Sequence, residues 1–135
     1  MRDLTLIAIG GMLGALARHG ANIAAAKWLG AGFPWGTLTV NVVGCFVIGI
    51  AGQTLAGLDA KSPPEGTLDA ARATLKYGLS IGFLGALTTF SSFGLETFKL
   101  AEANRWDLAA ANVLLNLLAG FAAVLAGIAV VRALA

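Results

Sequence analysis

An all-α membrane protein with four transmembrane helices is the fold class that this 135-residue sequence predicts, and three observations predict it. Hydrophobic residues make up 58% of the chain and charged residues 12%, with a mean hydropathy of +0.82, whereas soluble domains carry roughly a quarter charged residues. Three charge-free runs, 28–58, 77–95 and 108–131, and a fourth, 4–26, whose only charge is Arg18, are each long enough to cross the ~30 Å hydrocarbon core. The polar residues inside these runs recur at helical spacing instead of being scattered. Four spans use almost the whole length, so residues 1–135 are expected to form one membrane domain without a soluble one.

The first span places Gly10, Gly14, Arg18 and Asn22 at four-residue steps, hence on one helical face. Small residues there permit close helix contact. An arginine at a helix centre costs about 2.5 to 3.5 kcal/mol on insertion scales, so Arg18 either snorkels or faces an aqueous vestibule. Arg2, the apolar residues 4–13 and the small residues 15–17 resemble a secretory signal. Apolar character resumes beyond Arg18, however, and Asp3 is unusual at such a position, so an uncleaved first helix is expected. His19, the only histidine, reads as a packing or vestibule residue.

The second span aligns Thr37, Asn41, Gly44 and Cys45 on one stripe. The amide of Asn41 offers two donors, which in hydrocarbon must be met by another helix or by a permeating species. Cys45, the single cysteine, reads as a small packing residue, which leaves no disulfide framework and no cysteine-based metal site.

The connection 59–76 carries Pro63-Pro64. Within it Thr67 can cap a helix that runs through Asp69, Arg72 and Lys76 into the third span, which therefore starts outside the membrane. That span holds four hydroxyls and two glycines in residues 82–93. Hydroxyl side chains compete for backbone hydrogen bonds and glycine adds backbone freedom, so the third helix is expected to be interrupted near its middle. Non-helical backbone at membrane depth persists only against protein or a wet cavity, which makes this segment a candidate permeation or ion site. Phe90 and Phe93 share a face there. Aromatic edges carry partial positive charge and can approach an anion, while carbonyls of a broken helix can hold a cation; core packing is the plainer role for the pair. Glu96 reads as a solvated acid at the end of the helix. The fourth span repeats the polar device with Asn112, Asn116 and Gly120 at four-residue steps, for helix-to-helix hydrogen bonding or for ion contact.

An even number of spans puts both termini and the 59–76 connection on one side with Arg2, Lys61, Arg72, Lys76 and Arg132. The other side has Lys27, Lys99 and Arg105 together with Trp28, Trp35 and Trp106. Tryptophans suit such an interfacial belt, but five basic residues against three is a weak orientation signal. The near balance motivates an antiparallel, dual-topology homodimer. A formal net charge of +2 from singly scattered basic residues fits lipid headgroups, and no nucleic-acid partner is expected.

The segments GGMLGALAR at 10–18, GTLTVNVVGCF at 36–46 and GFLGALTTFSSF at 82–93 together resemble the CrcB/Fluc family of fluoride channels in order and spacing. The resemblance implies four-helix subunits assembled as inverted homodimers in a bacterial inner membrane. It implies two passive fluoride pathways that export cytoplasmic fluoride, and a structural sodium ion at the dimer interface. Carried over by position, Phe90 and Phe93 line the pathway, Asn41 is its asparagine, and Ser91 and Ser92 form a polar track, with Thr37 on the stripe of Asn41. Gly85 and Thr88 match backbone carbonyl donors to sodium, Arg18 the helix-one vestibule arginine, and Glu96 the acid further along helix three. Asn112 and Asn116 stand where the family often has tyrosine and serine.

Among rivals, a small dual-topology proton-coupled multidrug exporter would need a membrane-embedded acid in helix one, where this chain has Arg18. A non-transporting assembly subunit would give no ion flux. The chain has no nucleophile, base and orienter set of the kind an enzyme needs.

Overall fold

A computed structural model describes residues 1–60 and 67–135, with side chains for 1–58 and 70–135. Every secondary-structure element among the described residues is helical: α1 (Arg2–Leu29), α2 (Trp35–Ala60), α3 (Thr67–Ala73), a π-helical stretch π1 (Thr74–Leu84), α4 (Gly85–Leu87), α5 (Phe90–Glu102) and α6 (Trp106–Leu134). Four helical stretches, Arg2–Leu29, Trp35–Leu58, Ala70–Glu102 and Trp106–Leu134, are long and apolar enough to cross a membrane. Pro63-Pro64, Lys61 and the side chains of Thr67 and Asp69 lie outside the described residues, although the helix that Thr67 was expected to cap does begin there. The Arg72 guanidinium donates to the Leu58 carbonyl and so ties the start of the third span to the end of α2.

Backbone proximity is the packing device. α1 lies along π1 and α4, and α2 lies along α6. A Cβ on Gly10 would overlap the Gly78 carbonyl oxygen, and one on Gly14 the Phe83 carbonyl oxygen. Between α2 and α6, Gly49 faces the Val124 carbonyl and Gly127 the Phe46 carbonyl in the same manner. Where lipid replaces water, burial gives little drive for helix association, so such seams let dispersion act over short distances. Val40, Leu84 and Leu87 form the buried apolar cluster, with Ala21, Val47, Leu79 and Phe83 packed on it. Leu16, Leu118, Phe121 and Leu125 point outward and exposed, as side chains bathed in lipid should.

The winding of π1 departs from the ordinary helix that the sequence predicts on this side of the hydroxyl cluster. Ser80 Oγ donates to the carbonyl five residues back, Leu75 O, at 2.9 Å. The wider turn, with glycine at 78 and 82, sets the backbone of this stretch against Gly10 and Gly14. π segments are rare and cluster at functional sites. Trp28 lies in the last turn of α1, Trp35 starts α2 and Trp106 starts α6, so all three occupy the same end of the bundle.

Candidate functional site

Between α4 and α5 two residues leave helical geometry. Thr88 has φ −78°, ψ 155°, and Thr89 has φ −154°, ψ 113°. Thr88 closes the preceding helix on itself, because its N–H and its hydroxyl both donate to Leu84 O, at 3.0 and 2.9 Å. Thr89 opens the next helix as its N-cap: its hydroxyl oxygen accepts the Ser92 N–H at 3.2 Å and lies 3.0 Å from Ser92 Oγ and 3.2 Å from Ser91 Oγ. Threonine caps stabilise a helix start by about 1 kcal/mol because they satisfy an orphan donor.

The consequence lies in two carbonyls. In a continuous α-helix the Gly85 carbonyl would accept from Thr89 N–H and the Thr88 carbonyl from Ser92 N–H. Here Thr89 N–H goes to Asn41 Oδ1 at 2.9 Å, and Ser92 N–H goes to the Thr89 hydroxyl. Side chains have taken both donors from those two oxygens. Among the described residues no group of three or more His, Cys, Asp or Glu converges on a point.

A cavity of about 380 Å³ opens at this position, lined by Asn41, Gly85, Thr88, Phe90, Phe93 and Asn116 among others. The two phenylalanine rings lie 5.4 Å apart at 55°, the tilted arrangement in which the positive edge of one ring can meet the face of the other. Phe93 is buried at 8% exposure, whereas Phe90 stands out at 80%. Toward the tryptophan end lies a second cavity of about 400 Å³, lined by Asn22, Phe33, Trp35, Thr37, Glu96 and Lys99 among others. Thr37 donates to Glu96 Oε1 at 2.9 Å, while Glu96 Oε2 is buried without a partner. Glu96 is therefore an inward-facing, half-buried acid within α5 and not the solvated end-of-helix acid expected.

The residues singled out from sequence thus divide. Asn41, Phe90, Phe93, Asn116, Gly85 and Thr88 meet at one cavity, and Thr37 and Glu96 at the other. Ser91 and Ser92 serve the Thr89 cap. Arg18 is half-buried on α1 and lines neither of these cavities. Asn112, at 0% exposure, is enclosed by protein and donates to Thr97 Oγ1 at 2.8 Å. Thr97 was missed, since its place depends on tertiary packing; Thr89 stood only as one of the cluster's hydroxyls, although the pattern Thr-x-x-Ser ahead of a helix signals its cap, and Asn22 and Lys99 were named only for a helix face and a basic flank.

A family model described as "CrcB-like protein, Camphor Resistance (CrcB)" matches residues 5–128. Curated relatives named "Fluoride-specific ion channel FluC" align along their full or nearly full length. The protein of Geobacter sp. (strain M21) is 40% identical over 134 residues, covering 99% of this chain and 100% of the relative. That of Geobacter metallireducens is 42% identical over 132 residues, 98% of each chain. That of Rhizobium johnstonii is 42% identical over 137 residues and covers both chains completely.

Proposed function

This chain belongs to the CrcB-like protein family, and from that premise we propose that it is a passive fluoride channel, a multi-pass protein of the bacterial inner membrane that lets cytoplasmic fluoride out. It is not an enzyme. The observation that carries the reading is the meeting of Asn41, Phe90 and Phe93 in one cavity at a pair of non-helical residues within a membrane-spanning stretch.

The physical logic follows from the ion. Fluoride is small and strongly hydrated, so a selective path must replace its water with donors and hold it weakly enough to let it go. Asn41 supplies amide N–H groups, Phe90 and Phe93 supply ring edges, and Ser91 and Ser92 supply hydroxyls near the first turn of α5. Thr37 and Glu96 stand further along toward the tryptophan end, and Arg18 adds positive charge from α1. A carboxylate facing an anion path is repulsive when ionised, and the Thr37 hydroxyl tempers it by donating to Glu96. The acid lies on α5, not on the first helix where a proton-coupled drug exporter would need it.

Sodium fits the two freed carbonyls. Gly85 and Thr88 offer neutral oxygen ligands, which suit a hard monovalent cation better than a soft metal. Two oxygens do not complete a coordination shell. An antiparallel second copy would bring two more, and it would also cover Val43, Ile48, Ile81, Phe90 and Leu117, which one protomer leaves exposed. On this reading residues 1–135 act as one four-helix unit, the working protein is an inverted homodimer in the lipid bilayer, and sodium is structural and not transported.

Growth tests the function and its direction together. Fluoride crosses membranes as the neutral acid and is trapped by ionisation inside, so an exit for the anion should matter most in acidic medium. Expression in a bacterium stripped of its own fluoride exporter should raise the tolerated fluoride concentration, more at acid than at neutral external pH. Protein present in the membrane with no gain in tolerance would contradict the proposal.

A further inference from the structure

Four side chains connect the non-helical pair to the body of α5 by hydrogen bonds that all run one way. Thr89 N–H donates to Asn41 Oδ1 at 2.9 Å, and Asn41 Nδ2 donates to Asn116 Oδ1 at 2.9 Å. Asn116 Nδ2 donates to both the backbone oxygen and Oδ1 of Asn112, at 2.9 and 3.0 Å. Asn112 Nδ2 donates to Thr97 Oγ1 at 2.8 Å, and that hydroxyl donates to Phe93 O at 2.7 Å.

The direction is fixed at both ends. A backbone N–H can only donate, so Asn41 must turn its oxygen to the Thr89 N–H, which leaves its nitrogen to donate to Asn116. The carbonyls of Asn112 and Phe93 can only accept, so the far end demands donors. Each carboxamide between has one orientation that serves both neighbours, and a flipped Asn116 would set oxygen against Asn112 O and nitrogen against Asn41 Nδ2. Asn41 has one further engagement, Nδ2 to Thr89 O at 3.4 Å, too long to hold that hydrogen firmly. This is the donor left for an anion in the cavity that Asn41 and Asn116 line.

We propose that Asn112 and Asn116 are positioning residues that act through Asn41 and not on the ion. They lock the Asn41 carboxamide with its oxygen on Thr89 N–H, which keeps that donor off the Gly85 carbonyl, and with one N–H free for the passing anion. The role of the free N–H rests on the fluoride reading above; the ladder itself does not. Asn112, fully enclosed, has no surface to offer an ion.

A double-mutant cycle on fluoride efflux, measured per assembled protein in liposomes, separates the two roles. Asn41→Ala and Asn116→Ala should each slow efflux about tenfold, and the double variant should be no slower than Asn41→Ala, because residues in one hydrogen-bond network are not additive. Independent ion contacts would multiply to about a hundredfold loss, and that result would overturn the proposal. Two measurements do not need the alanine variants to fold. In the parental protein the side-chain amide protons of Asn112 and Asn116 should resist hydrogen exchange, and free exchange at either would refute the ladder. In Asn112→Ser the Asn41 side-chain amide resonance should shift although Asn116 stands between the two in the ladder; an unmoved resonance would overturn the relay. If the parental protein releases no fluoride, the functional reading fails while these resonances still decide the ladder.

Discussion

Phe90→Ile and Phe93→Ile should each slow fluoride efflux about tenfold or more, the kinetic equivalent of about 1.4 kcal/mol on the barrier. Isoleucine keeps an apolar side chain but has no quadrupole, so it cannot present a positive edge to the ion. The two variants should differ in what else they do. Phe93 is buried at 8% exposure, so shortening it also removes packing and should lower stability by about 1 to 3 kcal/mol. Phe90, 80% exposed in the protomer, contributes little to the protomer's own core, so its variant should lose conduction with the fold intact. Efflux from liposomes, beside thermal unfolding and size-exclusion profiles in detergent, separates lost conduction from lost assembly. Two variants that assemble and conduct at the parental rate would remove the phenylalanines from the pathway.

Replacing sodium by a large organic cation should sharply reduce both fluoride efflux and the dimer fraction. The prediction rests on the Gly85 and Thr88 carbonyls, whose helical donors have gone to Asn41 and Thr89. In the proposed dimer, removing the cation would leave those oxygens with nothing to neutralise them. Unpaired carbonyls in a low-dielectric setting cost several kcal/mol together, which is enough to loosen a dimer. The inverted arrangement has its own readout. A Cys45-free protein tagged with a cysteine in the 59–76 connection should react with impermeant reagent from both faces of the membrane. Flux and dimer unchanged after thorough sodium removal, or labelling from one face alone, would contradict this part of the account.

The four spans were legible because hydrophobic runs bounded by single charges leave few alternatives, and the three tryptophans fall at one end of the bundle as their positions in the runs imply. The family was legible from three separated segments whose order and spacing constrain one another. Individual contacts were harder to read. Thr37 and Glu96 lie 59 residues apart in the chain, and no local pattern announces that one will donate to the other. Glu96 follows the apolar run 77–95 directly, where an acid ordinarily marks the exit to water. α5 continues to Glu102 instead and turns Glu96 inward. Asn112 and Asn116 were placed on one face correctly. Which of them meets a cavity and which is enclosed depends on where α5 and α2 sit against α6, information that periodicity within one helix does not contain. The winding of Thr74–Leu84 has no sequence signal beyond its glycines.

Release of fluoride from liposomes, followed with an ion-selective electrode and compared with chloride release from the same vesicles, tests the central claim most directly. The account predicts rapid fluoride release that needs no proton gradient, with chloride retained, because chloride is a weaker hydrogen-bond acceptor and gains less from the Asn41 amide and two ring edges. Vesicles containing assembled, sodium-supplied protein that hold their fluoride as tightly as empty ones, or that release chloride equally fast, would contradict it.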